Sequence, residues 1–340
     1  MAKYRVVVVG CGGMSNKWFD YLALRTDTEV VGLVDIFIDA AKSMAERRQL
    51  EVPVFSDLEE AIEVTKPNVI CDVTIPDSHR QVAQTALAAG CHILGEKPMG
   101  ASLEDARAIL HAANQSSSRY TVMQNRRYNQ QIRAVRDGIQ RGMIGKVGAI
   151  HADFFIGAHF GGFRDAMANP LILDMAIHTF DQARFISGAD PVSVFCHEFN
   201  MPGSWYQGNA SAVCLFEMND GSVFTYRGSW SSEGFNTSWE SDWRVIGSLG
   251  TLRWDGTNPP VCQVVDETKP HAFIHEYKKI KLPMTWEGQE GHWGCLDEMF
   301  AAIDEDRPAE TDSKDNIKSV AMVFGAIESA KTGKKVRIEY

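Results

Sequence analysis

A single run near the start constrains this chain more than any other. Tyr4–Val9 ends in four valines, and Gly10-Cys11-Gly12-Gly13-Met14-Ser15 follows at once. A continuous β-branched run reads as a strand buried on both faces, as in a parallel sheet. Asn16–Arg25 then carries Trp18, Phe19 and Leu22 at helical spacing, and Glu29–Val34 reads as a second strand ending at Asp35. Strand, glycine loop, helix, strand and acid form the order of a dinucleotide-binding unit. Gly10 permits the tight turn and Gly12 lets the backbone approach a pyrophosphate. The third fingerprint position is Ser15, small enough for close helix–strand packing. Asp35 lies 20 residues after Ser15, where a carboxylate can accept both hydroxyls of an adenosine ribose and repel a 2′-phosphate. No Arg stands at Ile36 or Phe37. The expected cofactor is therefore NAD rather than NADP, held by Gly10, Cys11, Gly12, Gly13, Met14, Asp35 and Ile36. A glycine turn with no ligand is the rival reading, and the helix and spaced acid weigh against it.

The alternation continues. Asp39–Arg48 reads as a helix, and Ser56-Asp57-Leu58-Glu59 as a capping box opening Asp57–Thr65. Val69–Ile75 reads as a strand, Ser78–Ala89 as a helix closed by Gly90, and His92–Gly95 as a short strand. Ser102 caps a helix reaching about Ala113, and Tyr120–Met123 reads as a strand. Strands alternating with helices give an α/β fold, a doubly wound parallel sheet whose ligands bind at the carboxyl ends of the strands. Thr74, Pro76, His79 and the segment Glu96-Lys97-Pro98 lie at such ends, so Thr74, Pro76, His79, Glu96 and Lys97 join the cofactor-binding candidates.

From about Val147 the rhythm changes. Strand-like runs come at Ala149–Phe155, Val192–Phe199, Ala210–Met218, Ser222–Ser229, Trp243–Ile246, Gly250–Trp254 and Val261–Val265, with Asp220-Gly221 as a hairpin signal. Helical segments flank them at Gln130–Arg141 and Leu171–Ile186. Helices near Gly291–Asp304 and Ser313–Thr332 and a strand Val336–Tyr340 close the chain. The expected organisation is a Rossmann domain over 1–123 and an α+β domain over 124–340. The second is built on a large, mostly antiparallel open sheet, and the C-terminal helix is a candidate to pack back on the first domain. The open sheet must cover its second face or present it, which points to a homodimer or homotetramer. Trp205, Trp230, Trp239 and Trp243 are expected mostly in core and interface.

Composition excludes several partners. The formal net charge is −10, so nucleic acid and anionic membrane surfaces are poor partners. The seven cysteines are scattered, odd in number and outside metal-ligand spacing, which reads as buried reduced thiols in a reducing compartment. No signal peptide or membrane-length apolar run is visible. The expected location is the cytoplasm, and the expected partner is a small molecule.

Three features carry chemistry. Glu96-Lys97-Pro98 directly follows a parallel strand. Asp174-Met-Ala-Ile-His178 sets Asp and His at i and i+4 on one helix face, with Asp181 one turn on. Asn125-Arg126-Arg127-Tyr128 begins where the Rossmann domain ends. With these in order the chain resembles the glucose–fructose oxidoreductase / inositol dehydrogenase / MocA family along essentially its whole length. The resemblance implies that Lys97 and His178 lie by the nicotinamide with Asp174 beside them, and it points to a cis Lys97–Pro98 bond. It further implies places near the nicotinamide and cleft for Arg127 and Tyr128. Asn125 is expected to face the cofactor and Arg126 to form a salt bridge. The residue types suit oxidation of a carbinol. His178 is the best general base, because its unperturbed pKa of about 6.5 is near working pH. Lys97 would stabilise developing alkoxide charge, and Asp174 would hold the neighbouring hydroxyl or orient the other residues. His159 and Arg164, in a Gly-rich loop, are candidates to reach substrate hydroxyls, against the plainer reading of a surface loop. The expected substrate-binding set is thus Lys97, Arg127, Tyr128, His159, Arg164, Asp174 and His178. Taken alone, a Lys-Pro is a turn and an i, i+4 Asp/His pair is a surface pair. A metal reading of Asp174, His178 and Asp181 is the weaker one, since a cation beside Lys97 would be repelled, so no metal is expected. Many members of the resembled family carry glycines just before this helix, whereas here Asn169-Pro170-Leu171-Ile172-Leu173 stands. The expected activity is NAD-dependent hydride transfer on a secondary alcohol of a sugar, sugar derivative or cyclitol. A glycoside-cleaving enzyme using transient oxidation and a non-catalytic sugar sensor are the alternatives.

Overall fold

The protein is described from a computed structural model covering residues 2–270 and 272–340. It divides into two compact units, Met1–Asn125 with His292–Val320, and Arg126–Gly291 with Ala321–Tyr340.

The first unit holds six strands: β1 Tyr4–Val9, β2 Thr28–Val34, β3 Val54–Phe55, β4 Val69–Asp72, β5 His92–Gly95 and β6 Tyr120–Val122. Their order is β3-β2-β1-β4-β5-β6, and every pairing is parallel. Strand order therefore reverses between β1 and β4, the switch point where such sheets bind ligands. The valines of β1 are buried, as a strand covered on both faces requires. Helices α1 Ser15–Leu24, α2 Ile38–Arg48, α3 Leu58–Thr65, α4 Pro76–Ala88 and α5 Leu103–Gln115 connect the strands. The later segment completes the unit. Phe300 packs on Tyr4 at 4.9 Å between ring centroids, Asp297 accepts from the Tyr21 hydroxyl, and Val122 N donates to Thr311 O at 3.0 Å.

Two local expectations shift. The cap of α3 is Asp57, whose carboxylate accepts from Glu60 N at 2.9 Å, not Ser56. β4 stops at Asp72, not Ile75, because the Asp72 carboxylate takes the Thr74 N–H and hydroxyl and turns the chain.

The second unit is built on nine strands: β7 Val147–Phe155, β8 Pro191–Phe199, β9 Ser211–Met218, β10 Val223–Ser229, β11 Asp242–Gly247, β12 Gly250–Trp254, β13 Val261–Val265, β14 Tyr277–Lys281 and β15 Val336–Arg337. Their order is β14-β13-β12-β11-β7-β10-β9-β8-β15. Among the described residues only β7 and β10 pair in parallel. One face packs under the helix Ile177–Ser187. Phe180 of that helix meets Phe216 at 4.8 Å and Tyr226 at 5.3 Å. Trp230 and Trp243 are also buried, whereas Trp239 is half exposed. The other face presents Val192, Phe195, Phe199, Val213, Leu215 and Ile246 to solvent, around an Arg227–Asp153 ion pair. Strand β14 lacks period-2 alternation, so its sequence carries no strand signal. It forms one edge with Lys278, Lys279 and Lys281 exposed, and the two-residue β15 forms the other.

Candidate active site

The cofactor end is shaped by the chain around Gly10. Gly10 has φ +89°, and a Cβ there would lie 2.5 Å from Val73 O, so only glycine lets β1 turn against the end of β4. Gly12 and Gly13 are exposed, and a Cβ on either would meet nothing within 4 Å. Ser15 is buried and its hydroxyl donates to Gly12 O at 2.7 Å. It therefore ties the loop to the start of α1, a task no third glycine could perform. Asp35 accepts from Cys11 N at 2.8 Å and from Phe37 N at 2.9 Å. The carboxylate at the end of β2 is thus already bonded to the glycine loop. Met14 and Ile36 stand exposed beside it, whereas the Cys11 side chain is buried. Cys11 can offer a ligand backbone but not sulfur. Open glycines, N–H groups at a helix start and an oriented acid fit a dinucleotide.

At the ends of β4 and β5 lies a second layer. His79 Nδ1 meets Asp72 Oδ2 at 2.7 Å, and both side chains are fully buried. Burial disfavours both charges, but their mutual attraction prevails: His79 is raised and Asp72 lowered from their usual pKa values. Glu96 accepts from Trp18 Nε1 at 2.9 Å and from its neighbour Lys97 N at 3.2 Å. Burial pushes its carboxyl up, against the Trp18 hydrogen bond. His79 and Glu96 are expected from the sequence among the cofactor-binding residues, but the structure buries both side chains in these pairings. Both are turned inward and brace the loops carrying Thr74 and Lys97. Thr74, Pro76 and Lys97 remain partly open to solvent. The Lys97–Pro98 peptide is cis. Asn125 Nδ2 lies 3.4 Å from His292 Nδ1, so the later segment supplies a neighbour that sequence order hides.

In the second unit, Asp174 and His178 share one continuous helical stretch, but its first part is not α-helical. Leu171–Ala176 forms a π-helix that runs directly into Ile177–Ser187, a form often found at functional sites. Asp174 Oδ2 accepts from Arg164 Nε at 2.6 Å. Arg164 in turn lies over the rings of Phe160 and Phe163 at 5.0 and 4.7 Å. His178 is buried and Asp174 half buried. Asp181 belongs elsewhere: Arg127 grips it with two 2.6 Å bonds, and both are buried. Tyr128 is buried as well, under the Arg133 guanidinium at 4.8 Å. The expected substrate contacts by Arg127 and Tyr128 are thereby corrected to places in the interior of the unit. Arg126 pairs with Glu240 at 3.6 Å and donates to Trp239 O. His159 stacks on Trp205 at 3.6 Å and bonds Glu233 at 2.8 Å, both well exposed. Among the described residues no group of three or more His, Cys, Asp or Glu could hold a metal ion.

Two family models cover most of this geometry. The oxidoreductase family model with an NAD-binding Rossmann fold matches residues 4–124, and the GFO/IDH/MocA C-terminal domain model matches residues 132–253. The chain belongs to the GFO/IDH/MocA family. An uncharacterized Sinorhizobium fredii protein, y4oX, is 27% identical over 360 residues, 99% of this chain and 96% of its own. The inositol 2-dehydrogenase of Rhizobium meliloti is 30% identical over 199 residues, 56% of this chain and 57% of its own. An Agrobacterium radiobacter oxidoreductase, solved with NAD+, L-tartaric acid and magnesium, shares the fold. Its TM-score is 0.84 at 20% identity, covering 99% of this chain and 98% of its own. As a family member the chain is an NAD(P)-dependent oxidoreductase acting on CH–OH groups. Among the described residues no helix is long and apolar enough to cross a membrane.

Proposed function

We propose that this GFO/IDH/MocA member oxidises a secondary alcohol of a sugar, sugar derivative or cyclitol, with NAD as the preferred cofactor. The observation that carries the reading is the Arg164–Asp174 pair on the helical stretch that also bears His178. A carboxylate fixed by a guanidinium is a rigid acceptor for a hydroxyl, and it sits one helical turn from an imidazole. Bound NAD supplies the hydride acceptor. The backbone of Gly12 and Gly13 would hold its pyrophosphate, and Asp35 its adenosine ribose. In the substrate, Asp174 accepts a bond from the hydroxyl beside the reacting carbon. Lys97 Nζ donates to the reacting oxygen and stabilises negative charge as the O–H proton leaves. The His178 imidazole takes that proton. The relatedness to an inositol dehydrogenase supports a polyhydroxylated substrate.

The test is a panel of inositols, hexoses, sugar acids and glycosides scored by NADH formation. The reading predicts turnover of at least one cyclic polyol. Thermal shifts with polyols but no NAD reduction across the panel would turn it into a sensor. Cofactor choice rests on Asp35, so Asp35→Ser should lower the NAD-over-NADP preference by about tenfold, on the order of one hydrogen-bonded charge. A second copy of the chain is proposed to cover the apolar outer face of the nine-stranded sheet. Light scattering should then give a multiple of the 37.8 kDa chain mass, and Phe195→Glu should lower it.

A further inference from the structure

The loop that leads into the π-helix is pinned from outside. Gln207 N donates to Asp165 O at 2.8 Å and Asn209 N to Ala168 O at 3.0 Å. Between them Gly208 lies so close that a Cβ would stand 2.1 Å from Ala168 O. A further tie is a side chain. Asn169 Nδ2 donates to Glu198 Oε2 at 2.8 Å, and Glu198 projects from β8 opposite Ala212 of β9. The Asn169 carbonyl in turn accepts Leu173 N at 3.0 Å, so Asn169 joins the sheet to the first turn of the helix that bears Asp174. Arg164 lies just before the pinned segment and Asp174 just after it, and they pair with each other.

The second oxygen of Glu198 is an anomaly. Oε1 is buried and, among the described residues, has no hydrogen-bond partner. An unsatisfied buried carboxylate oxygen is costly. Burial pushes the Glu198 carboxyl up to about 7, against the Asn169 hydrogen bond. On the sheet side the titratable neighbours are the Cys196 and Cys214 thiols, and burial pushes Cys214 well up. On the loop side the group that touches it is the neutral Asn169 amide, and the charged residues of the same stretch are Asp165 and the Arg164–Asp174 pair. The group therefore changes charge close to neutral pH, in a place where the charged form has one partner for two oxygens.

We propose that Glu198 is a positioning residue, which through Asn169 holds the loop 165–170 and with it sets Asp174 and Arg164 for the substrate. In its neutral form it accepts from Asn169 and leaves no charge unmet. In its ionised form it accepts more strongly from Asn169, but the bare Oε1 carries buried charge that draws water in between loop and sheet, and the packing of the loop loosens. The inference rests on the dehydrogenase reading for its effect on substrate, but the clamp itself can be observed without any substrate.

Hydrogen exchange and steady-state kinetics on Glu198→Ala, Glu198→Gln and Asn169→Ala test it. Amides of 165–176 should exchange faster in Glu198→Ala and Asn169→Ala than in the parent protein. After correction for intrinsic rates, the parent should lose protection there between pH 6 and 8, while Glu198→Gln, with a neutral acceptor, should not. In kinetics, Glu198→Ala should raise KM for the polyol about tenfold, the scale of a small misplacement, and leave KM for NAD unchanged. Glu198→Gln should restore the parent value. Unchanged protection of 165–176 in Glu198→Ala, or Glu198→Gln behaving like Glu198→Ala, overturns the proposal. If Glu198→Ala fails to fold, the comparison of the parent with Glu198→Gln across pH decides alone. If the parent turns over no polyol, the dehydrogenase reading falls, and the exchange data still decide the clamp.

Discussion

The two ends of the proposed chemistry are made by different means. At the nucleotide end, most of the parts come from one stretch of chain: Cys11 bonds Asp35, Ser15 bonds Gly12 and Gly10 bonds Val34, while Val73 and Thr74 crowd Gly10 from farther away. At the substrate end, the parts are assembled from distant places. Asp174 is held by Arg164 before it, and its helix start by Glu198 and the 207–209 segment after it. A loop built locally is set by its own φ angles and can be read from spacing. A loop built from afar depends on tertiary partners, and its sequence carries little trace of them.

Substitutions can break that contrast. The largest effect is expected from Lys97→Ala. Turnover should fall by about 10^3-fold, the loss of one well-placed donor to a developing oxyanion, while NAD binding by fluorescence titration stays close to the parent. Loss of both together would mean that Lys97 serves the cofactor end instead. Next comes Arg127→Met, which leaves Asp181 buried with its main partner removed. A loss of about 3 kcal/mol or more in urea unfolding is expected, because that charge cannot reach water. A loss below about 1 kcal/mol would show that the partners that remain, Arg184 at 3.9 Å among them, suffice. Gly10→Ala follows, with about 2 kcal/mol of backbone strain at φ +89° and a close contact with Val73 O. NAD affinity should fall, and the polyol site should respond only through that.

The smallest effect is a pH slope. Native Glu198 keeps its proton up to about pH 7, whereas the unfolded side chain releases it near 4.3. The native state therefore binds more protons between those values, and stability falls as pH rises through that window and then levels off. Tm should drop by roughly 3 °C between pH 5 and 8 on this account, and the drop should vanish in Glu198→Gln. A slope that persists in the glutamine variant assigns it to other groups.

Much of the first unit was legible because a parallel strand buried on both faces leaves an unmistakable apolar run, and because glycines and caps mark its turns. The inward turn of His79 and Glu96 was not legible. Their partners, Asp72 and Trp18, sit in apolar stretches where a polar pairing leaves no periodic signal. In the second unit the strands alternated visibly, except exposed β14. The π-helix at Leu171 escaped, since six residues of wider winding read like any other helix start. Arg127 and Tyr128 illustrate a second limit. A motif places a residue in a region, but whether it faces inward depends on a partner such as Asp181, 54 positions away. Glu198 leaves one faint sign in the sequence, a carboxylate at an inward position of an alternating strand, which marks a buried acid in need of a donor.

An open sheet of nine strands is also a template for further strands. Its borders remove that hazard. One is β14, where Lys278, Lys279 and Lys281 would have to be stripped of water and crowded together before another strand could join. The other is β15, too short to seed a ladder. Growth in the plane of the sheet is thereby blocked. The association proposed for the outer face would come broadside, and two copies paired face to face would use that patch up instead of extending the sheet.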